Sequence, residues 1–268
     1  MENKNLALDK KLLSSNDENL VSADNSRFSV LYQDEWYVAI HKPAGWLVHP
    51  TKIAPVARKS ILPVLSNQLG QPIFPVHRLD CATSGVLIFG MSSQATGKLS
   101  DLFEKREVEK TYLAVVRGWM NPADGKIERD LSPWPGEPPQ QAVTNYRTLA
   151  TSELPIPIHP HKTCRYSLLE VKPYTGRRQQ IRRHFSGVSH PVIGDTSHGD
   201  QRHNRAFKEH FQCERLLLMA VELTFQHPFL KKDLILTCPP DSATDLLLKK
   251  IFSGNEYLAK GLEPFLRG

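Results

Sequence analysis

Apolar residues along this chain gather in short runs, some with the two-residue period of strands and some with the wider spacing of helices. Residues 28–33 and 36–40 are strand-length blocks separated by the polar pair Asp34 and Glu35, which predicts a hairpin or a bulged strand. Lys42-Pro-Ala-Gly45 follows as a turn, since proline and glycine both interrupt regular structure. Ile61, Leu65 and Leu69 have helical spacing before Gly70, predicting a helix over 60–69. Residues 85–91 form a continuous apolar run, as a buried strand does. Ser93 is expected to cap a helix reaching Arg106, with Leu99, Leu102 and Phe103 on one face.

Strands are expected over 108–119 and 143–150. The stretch between them carries Pro122, Pro133, Pro135, Pro138 and Pro139 and reads as a long loop or insertion. A strand over 164–171 precedes a helix over 176–188 with Ile181, Phe185 and Val188 inward. Strands over 216–225 and 233–237 and a helix over 243–252 complete the pattern. Residues 1–26 lack aromatics and read as a mobile polar tail, with at most a short helix from Leu6 to Leu13. Strands arriving in runs with few helices between them favour an α+β fold over a βαβ barrel or a doubly wound sheet. The expected division is the tail 1–26, one catalytic domain 27–240, and a helical extension 241–268 packed on it.

Composition narrows the class. With 268 residues, 40% hydrophobic and 23% charged, the chain can bury a core without staples. No apolar run reaches the ~18–20 residues of a membrane span, and the N-terminus has no secretory apolar region. Cys81, Cys164, Cys213 and Cys238 are too scattered for a disulfide framework, so a cytoplasmic protein with no membrane partner is expected. The net charge of +6 is a weak pointer to a polyanion, but its distribution is stronger. Between Arg165 and Arg215 ten Lys or Arg face five acids, whereas the first 26 residues hold three bases and five acids.

Three constellations carry candidate chemistry. In Val76-His-Arg-Leu-Asp80-Cys-Ala-Thr-Ser-Gly85, Arg78 and Asp80 lie two apart and share one side of an extended segment. A carboxylate beside a guanidinium stays ionised and oriented, which suits a nucleophile; a turn aspartate with a surface arginine is the plainer alternative. A protein-kinase catalytic loop is excluded, because Leu79 intervenes between Arg78 and Asp80 and no glycine-rich phosphate loop precedes it. Tyr174-Thr-Gly-Arg-Arg178-Gln-Gln-Ile-Arg182-Arg-His184 would place four arginines in the first two turns of a helix, where the dipole disfavours cations. Phosphates or a carboxylate would compensate them; a solvated face is the alternative. In Glu109-Lys-Thr-Tyr112-Leu-Ala114, Lys110, Tyr112 and Ala114 share a strand face, and Tyr112 either stacks on a base or packs the sheet. His159-Pro-His161-Lys-Thr-Cys164 lacks the second ligand pair of a zinc site, and Ser84 lacks a hydrolase elbow. His198-Gly-Asp200-Gln-Arg202-His203-Asn-Arg205 reads as an exposed loop able to touch phosphate.

Taken together these motifs resemble the pseudouridine synthases of the large-ribosomal-subunit synthase A type. His77-Arg-Leu-Asp80-x-x-Thr83-Ser-Gly85 is similar to that family's catalytic motif and Lys42-Pro-Ala-Gly45 to its first motif. Lys110-Thr-Tyr112-Leu-Ala114 is similar to its tyrosine strand, and Thr175-Gly-Arg177-x-x-Gln180-Ile-Arg182-x-His184 to its third motif. The resemblance implies a mixed, mostly antiparallel central sheet flanked by helices and loops, with a basic active-site cleft. It implies Asp80 as nucleophile on an extruded uridine, attacking either the ribose or the base. Tyr112 would stack on the uracil and take part in proton removal, and Arg182 would pair with Asp80. Arg78 would keep the flipped nucleotide out of its helix and Leu218 would floor the base. His77, Thr83, Arg177, Arg178 and His184 would complete the substrate contacts. Base chemistry inside a duplex needs such extrusion, and the basic stretch supplies phosphate contacts.

The implied substrate is a single uridine of tRNA, position 65. Neither cofactor nor metal is expected for a redox-neutral rearrangement, and a monomer is. Gln179 and Met219 stand where the family usually has histidine. The rival readings are a sister enzyme acting on ribosomal RNA and a non-catalytic RNA-binding module.

Overall fold

The computed structural model describes residues 27–49 and 59–253; the expected tail with its short helix, and the end of the extension, lie outside the described residues. Strands β1 (Val30–Gln33) and β2 (Tyr37–Lys42) form an antiparallel pair whose register shifts between Val30 and Tyr32, so hairpin and bulge both occur. The polar break between them makes the turn: Asp34 Oδ1 accepts from the amides of Trp36 and Tyr37 at 2.8 and 2.7 Å. Helix α1 (Ile61–Leu69) buries Ile61 and Leu65 and ends on Gly70 at φ 68°. A short β3 (Phe74–Pro75) and the wholly buried β4 (Ser84–Gly90) follow. Helix α2 (Ser93–Glu104) is capped by Ser92, whose hydroxyl accepts from Ala95 N; the cap lies one residue earlier than expected, because Ser92 is the extended residue.

Next come β5 (Glu109–Arg117), β6 (Asp124–Glu128), β7 (Val143–Leu154) and β8 (Cys164–Pro173). The proline-rich stretch is therefore not all loop. Residues 124–128 contain no proline and pair with β7, so the prolines lie on either side of a strand. Helices α3 (Gln180–Gly187) and α4 (Gln201–Phe211), strands β9 (Leu218–Gln226) and β10 (Asp233–Thr237), and helix α5 (Ser242–Ile251) complete the order.

Two expectations are corrected here. Helix α3 begins four residues late, and Val188 is 39% exposed while Ile181 and Phe185 are buried. The stretch around Arg202 is not a loop. Asp200 caps α4 by accepting from Arg202 N, and His203 is buried with its ring nitrogen 3.0 Å from the Tyr166 hydroxyl.

Among the described residues ten strands form one sheet in the order β1-β2-β4-β9-β5-β8-β7-β6, with β10 on β9 and β3 on β4. All pairings are antiparallel except β4 with β9, so the α+β fold with a mixed, mostly antiparallel sheet is borne out. Residues on successive positions of β9 face opposite layers. Leu218 packs with Ile181 and Phe185 of α3, and Met219 with Phe207 of α4 and Leu248 of α5.

The parallel pairing of β4 with β9 positions the site. It is confined to Ser84 with Met219 and Gly85 with Ala220, where both strands begin. Gly85 has φ 118°, and a Cβ there would collide with the Ala220 carbonyl, so only glycine permits this approach. The segments preceding β4 and β9 consequently converge, and β5 brings Tyr112 opposite Ala220 from the other side.

Candidate active site

One pocket opens at this convergence, lined by Arg78, Asp80 and Thr83 before β4, Lys110 and Tyr112 on β5, Arg177, Gln179 and Arg182 around the start of α3, and Leu218 on β9. Residues far apart in sequence thus meet, and the lining holds four bases and one acid.

Asp80 is the acid, its side chain about one-fifth exposed. Arg182 Nη1 donates to Asp80 Oδ2 at 3.0 Å. The rest of the guanidinium fork is taken by Asp195, with Nε to Oδ2 and Nη2 to Oδ1 each at 2.7 Å. Asp195 Oδ1 also accepts from the amides of Ser197 and His198, at 2.9 and 3.0 Å. Arg182 and Asp195 side chains are 6% and 1% exposed, so this pair is dry and geometrically fixed. Burial pushes the Asp195 carboxyl up, but the Arg182 bonds and two amides outweigh it and hold it below the usual carboxylate range. Burial likewise opposes the Arg182 charge, and Asp195 and Asp80 together reverse that.

The turn at residues 42–45 is fastened to the Asp80 segment. The buried Lys42 Nζ donates to the carbonyls of Pro43, Cys81 and Thr83 at 3.0, 3.0 and 2.7 Å, occupying its three donors. Gly45 N adds a bond to Cys81 O at 2.8 Å. Burial pulls the Lys42 ammonium down to about 8, with Cys81 and Asp80 opposing the shift.

Tyr112 is kept a neutral phenol, its pKa raised first by burial and then by the Asp80 charge. Lys110 on the same strand face is lowered to about 8 by burial and by Arg106. Leu218, 3% exposed, supplies an apolar surface beside them.

The late start of α3 follows from Gln180. Its Oε1 accepts from the Thr175 hydroxyl and Arg177 N at 2.7 and 3.0 Å, and its Nε2 donates to Val143 O and Thr144 Oγ1, both at 2.9 Å. That buried amide holds residues 175–178 as a non-helical turn, so only Arg182 and Arg183 meet the unfavourable helix dipole, and not four arginines. Gln179, at φ 53°, sets its Oε1 2.8 Å from His198 Nε2.

Not every expected contact residue reaches the pocket. His77 lies one residue out of phase with Arg78 and Asp80. Its ring stacks on Phe103 at 4.7 Å and accepts from Ile88 N at 3.3 Å, and burial drives its pKa to about 3. His184, two residues after Arg182 and so on another side of α3, is fully buried between Thr144 Oγ1 and the Arg129 carbonyl. Neither lines the pocket. Arg178 lies outside the lining and stacks over Trp134. Asp195, Lys42 and Gln180 are the residues that sequence reasoning missed in these roles. A buried partner for an arginine at a helix start was the available signal for Asp195.

A mixed sheet whose strand junction presents an arginine-held carboxylate beside a tyrosine defines the class, and the sequence description of the RNA pseudouridylate synthase family matches residues 36–187, more than half of the chain. The chain belongs to that family. More particularly, it is 45% identical over 216 residues to tRNA pseudouridine synthase C of Pectobacterium carotovorum subsp. carotovorum, covering 77% of this chain and 57% of that one. It is 43% identical over 230 residues to the protein of the same name from Vibrio cholerae, covering 82% of this chain and 94% of the relative. Among solved structures, human RNA pseudouridylate synthase domain containing 4 superposes with a TM-score of 0.61 at 26% identity, over 81% of this chain and 90% of that one. Human RNA pseudouridylate synthase domain containing 1 gives 0.63 at 23% identity over 80% and 84%, a likeness of fold. Among the described residues no helix is long and apolar enough to cross a membrane, and no group of three or more potential ligands could hold a metal ion.

Proposed function

We propose that this protein isomerises a single uridine of tRNA to pseudouridine, at position 65, with Asp80 as nucleophile. The observation that supports the reading is the Asp195–Arg182–Asp80 chain of hydrogen bonds, which holds one carboxylate in the pocket beside Tyr112 and Leu218. The tRNA substrate is the one named for the curated relatives.

In this scheme the target nucleotide leaves its helix and its uracil lies against Leu218 and the Tyr112 ring. Asp80 forms a covalent bond to the nucleotide, the bond from ribose to N1 breaks, a bond from the same ribose carbon to C5 forms, and the bond to Asp80 breaks to restore its carboxylate. The proton lost from C5 is matched by one gained at N1, so no electron donor or acceptor is needed. Tyr112 stacks on the ring and relays the proton: its hydroxyl proton passes to N1 and its oxygen then takes the one lost from C5, which restores the neutral phenol. Arg78 at the lining keeps the flipped nucleotide out of its helix, Arg177 binds backbone phosphate, and Arg182 is neutralised by its carboxylates.

Replacing Asp80 with Asn tests the reading. Binding of transcribed tRNA is expected within about threefold of wild type, and conversion, measured by pseudouridine mapping, is expected to vanish. Normal product from the variant sinks the assignment. Mapping the same site and ribosomal RNA in cells with and without the protein separates tRNA from ribosomal substrates.

A further inference from the structure

The segment 129–142 lies outside the machinery above, yet it is well tied. Leu131 and Gln140 exchange both backbone hydrogen bonds, at 2.9 and 3.1 Å, and Arg129 N donates to Ala142 O at 3.2 Å. The segment therefore runs out and back from β6 to β7 as a narrow extension. Its tip carries Pro133, Pro135, Pro138 and Pro139 and turns where Glu137 N donates to the Trp134 carbonyl at 3.1 Å. Prolines restrict such a tip before any ligand arrives, which lowers the ordering cost of binding.

The extension is fastened to the start of α3. Arg183 Nη1 donates to Ser132 O at 2.9 Å, and the pocket-lining Arg177 donates through Nε to Gln141 O at 3.1 Å. Arg178 lays its guanidinium 4.1 Å from the Trp134 ring centre. For all this bracing, Trp134 belongs to none of the three apolar cores and remains 48% exposed. Stability does not explain an indole held in water at a rigid tip; a flat partner for its open surface does.

We propose that Trp134, braced by Arg178, is a stacking platform for an unpaired nucleobase of the substrate RNA beside the extruded uridine. Every base offers a π face to an indole, and the adjoining guanidiniums attract the phosphates that carry it. The inference rests on the RNA-isomerase reading and adds to it a contact outside the pocket.

The test compares full-length wild type, Trp134→Ala and Trp134→Phe on transcribed tRNA, and on the same tRNA with 2-aminopurine replacing a base next to the target. The alanine variant is expected to raise KM about tenfold, the scale of one lost stacked base, with kcat unchanged. Phe should restore most of the loss, and 2-aminopurine emission should be quenched by wild type and Phe but not by Ala. Wild-type KM and quenching in the alanine variant overturn the platform while leaving the isomerase standing. Quenching by a wild-type protein that forms no pseudouridine supports the platform and refutes the isomerase.

Discussion

Replacing Asp195 with Asn removes the charge that clamps Arg182 while keeping the side chain's size. Oδ1 is held by the Ser197 and His198 amides, so the new amide nitrogen falls where Oδ2 now accepts from Arg182 Nε. A donor then faces a donor in a dry site. One charge-assisted hydrogen bond is worth about 1.5–3 kcal/mol, and emptying one side of a buried ion pair costs about 3–5 kcal/mol. Asp80 still balances the guanidinium, so a loss of about 2–3 kcal/mol is expected, or about 4–12 °C in Tm for a chain of this size. Freed from its fork, Arg182 no longer fixes Asp80, and displacement of a reacting group by about 1 Å costs on the order of 100-fold. Single-turnover conversion should therefore fall about 10–100-fold, with tRNA affinity nearly unchanged. Because the Asp195 value is depressed in the folded state, its contribution is complete above the unfolded carboxylate value of ~3.9 and is lost as the pH falls below it. The deficit of the Asn variant should accordingly shrink as the pH falls below ~3.9. Turnover within twofold of wild type alongside a lowered Tm refutes the orienting role; an unchanged Tm refutes the energetic one.

Lys42→Met keeps the aliphatic stem but leaves the carbonyls of Pro43, Cys81 and Thr83 without their donor. Relief of the buried charge offsets part of this, and a net loss of about 2 kcal/mol is expected, with slower conversion as the Asp80 segment loosens; wild-type Tm and turnover would contradict it. For His203, burial lowers the folded value to about 4, so the unfolded chain binds its proton first as the pH falls from ~6.5. Stability should drop by up to about 3 kcal/mol over that interval, read from urea midpoints, and His203→Gln should flatten the decline. A wild-type midpoint that stays level from pH 7.5 to pH 4.5 would count against it.

Where the sequence was legible, a single periodicity or one strong punctuating residue decided the structure. Strand β4 is buried along its length, and helix α1 shows its apolar spacing followed by a left-handed glycine. Where it misled, a side chain overrode the local pattern. The helical spacing of Ile181 and Phe185 is real, but the helix does not reach back to residue 176, because the Gln180 amide bonds to four partners and holds residues 175–178 as a turn. Helix α4 was hidden because its face is basic and its anchor, His203 against Tyr166, is a polar contact across the fold. Strand β6 has an apolar Ile127 at only one inward position, too little for an alternating signal; its partner β7 defines it. The motif residues of the pocket could be read in order. Their convergence could not, because it depends on a parallel contact between β4 and β9 confined to two residue pairs.

Arg182 shows why local charge counting gives the wrong expectation for this site. It stands in the first turn of α3, where the helix field disfavours a cation, and it is almost wholly buried, which disfavours any charge. Either penalty alone argues for its removal. Two carboxylates meeting one planar fork reverse both, and they do so only because a guanidinium can give Nε and Nη2 to Asp195 while turning Nη1 to Asp80. A lysine in that place is a single point charge and could not fix both acids in plane. The trio carries a formal charge of −1, and Asp80, the one of its two carboxylates that reaches the pocket, is there otherwise among bases. Arg182, already paired with two carboxylates, differs in this from Arg78 and Arg177, the other arginines of the lining. Under the proposed function, attraction of the polyanion and orientation of the acid are thus separate tasks of Arg177 and Arg182, and Gln180, which accepts from Arg177 N one turn before Arg182, fixes the turn that sets the first against the second.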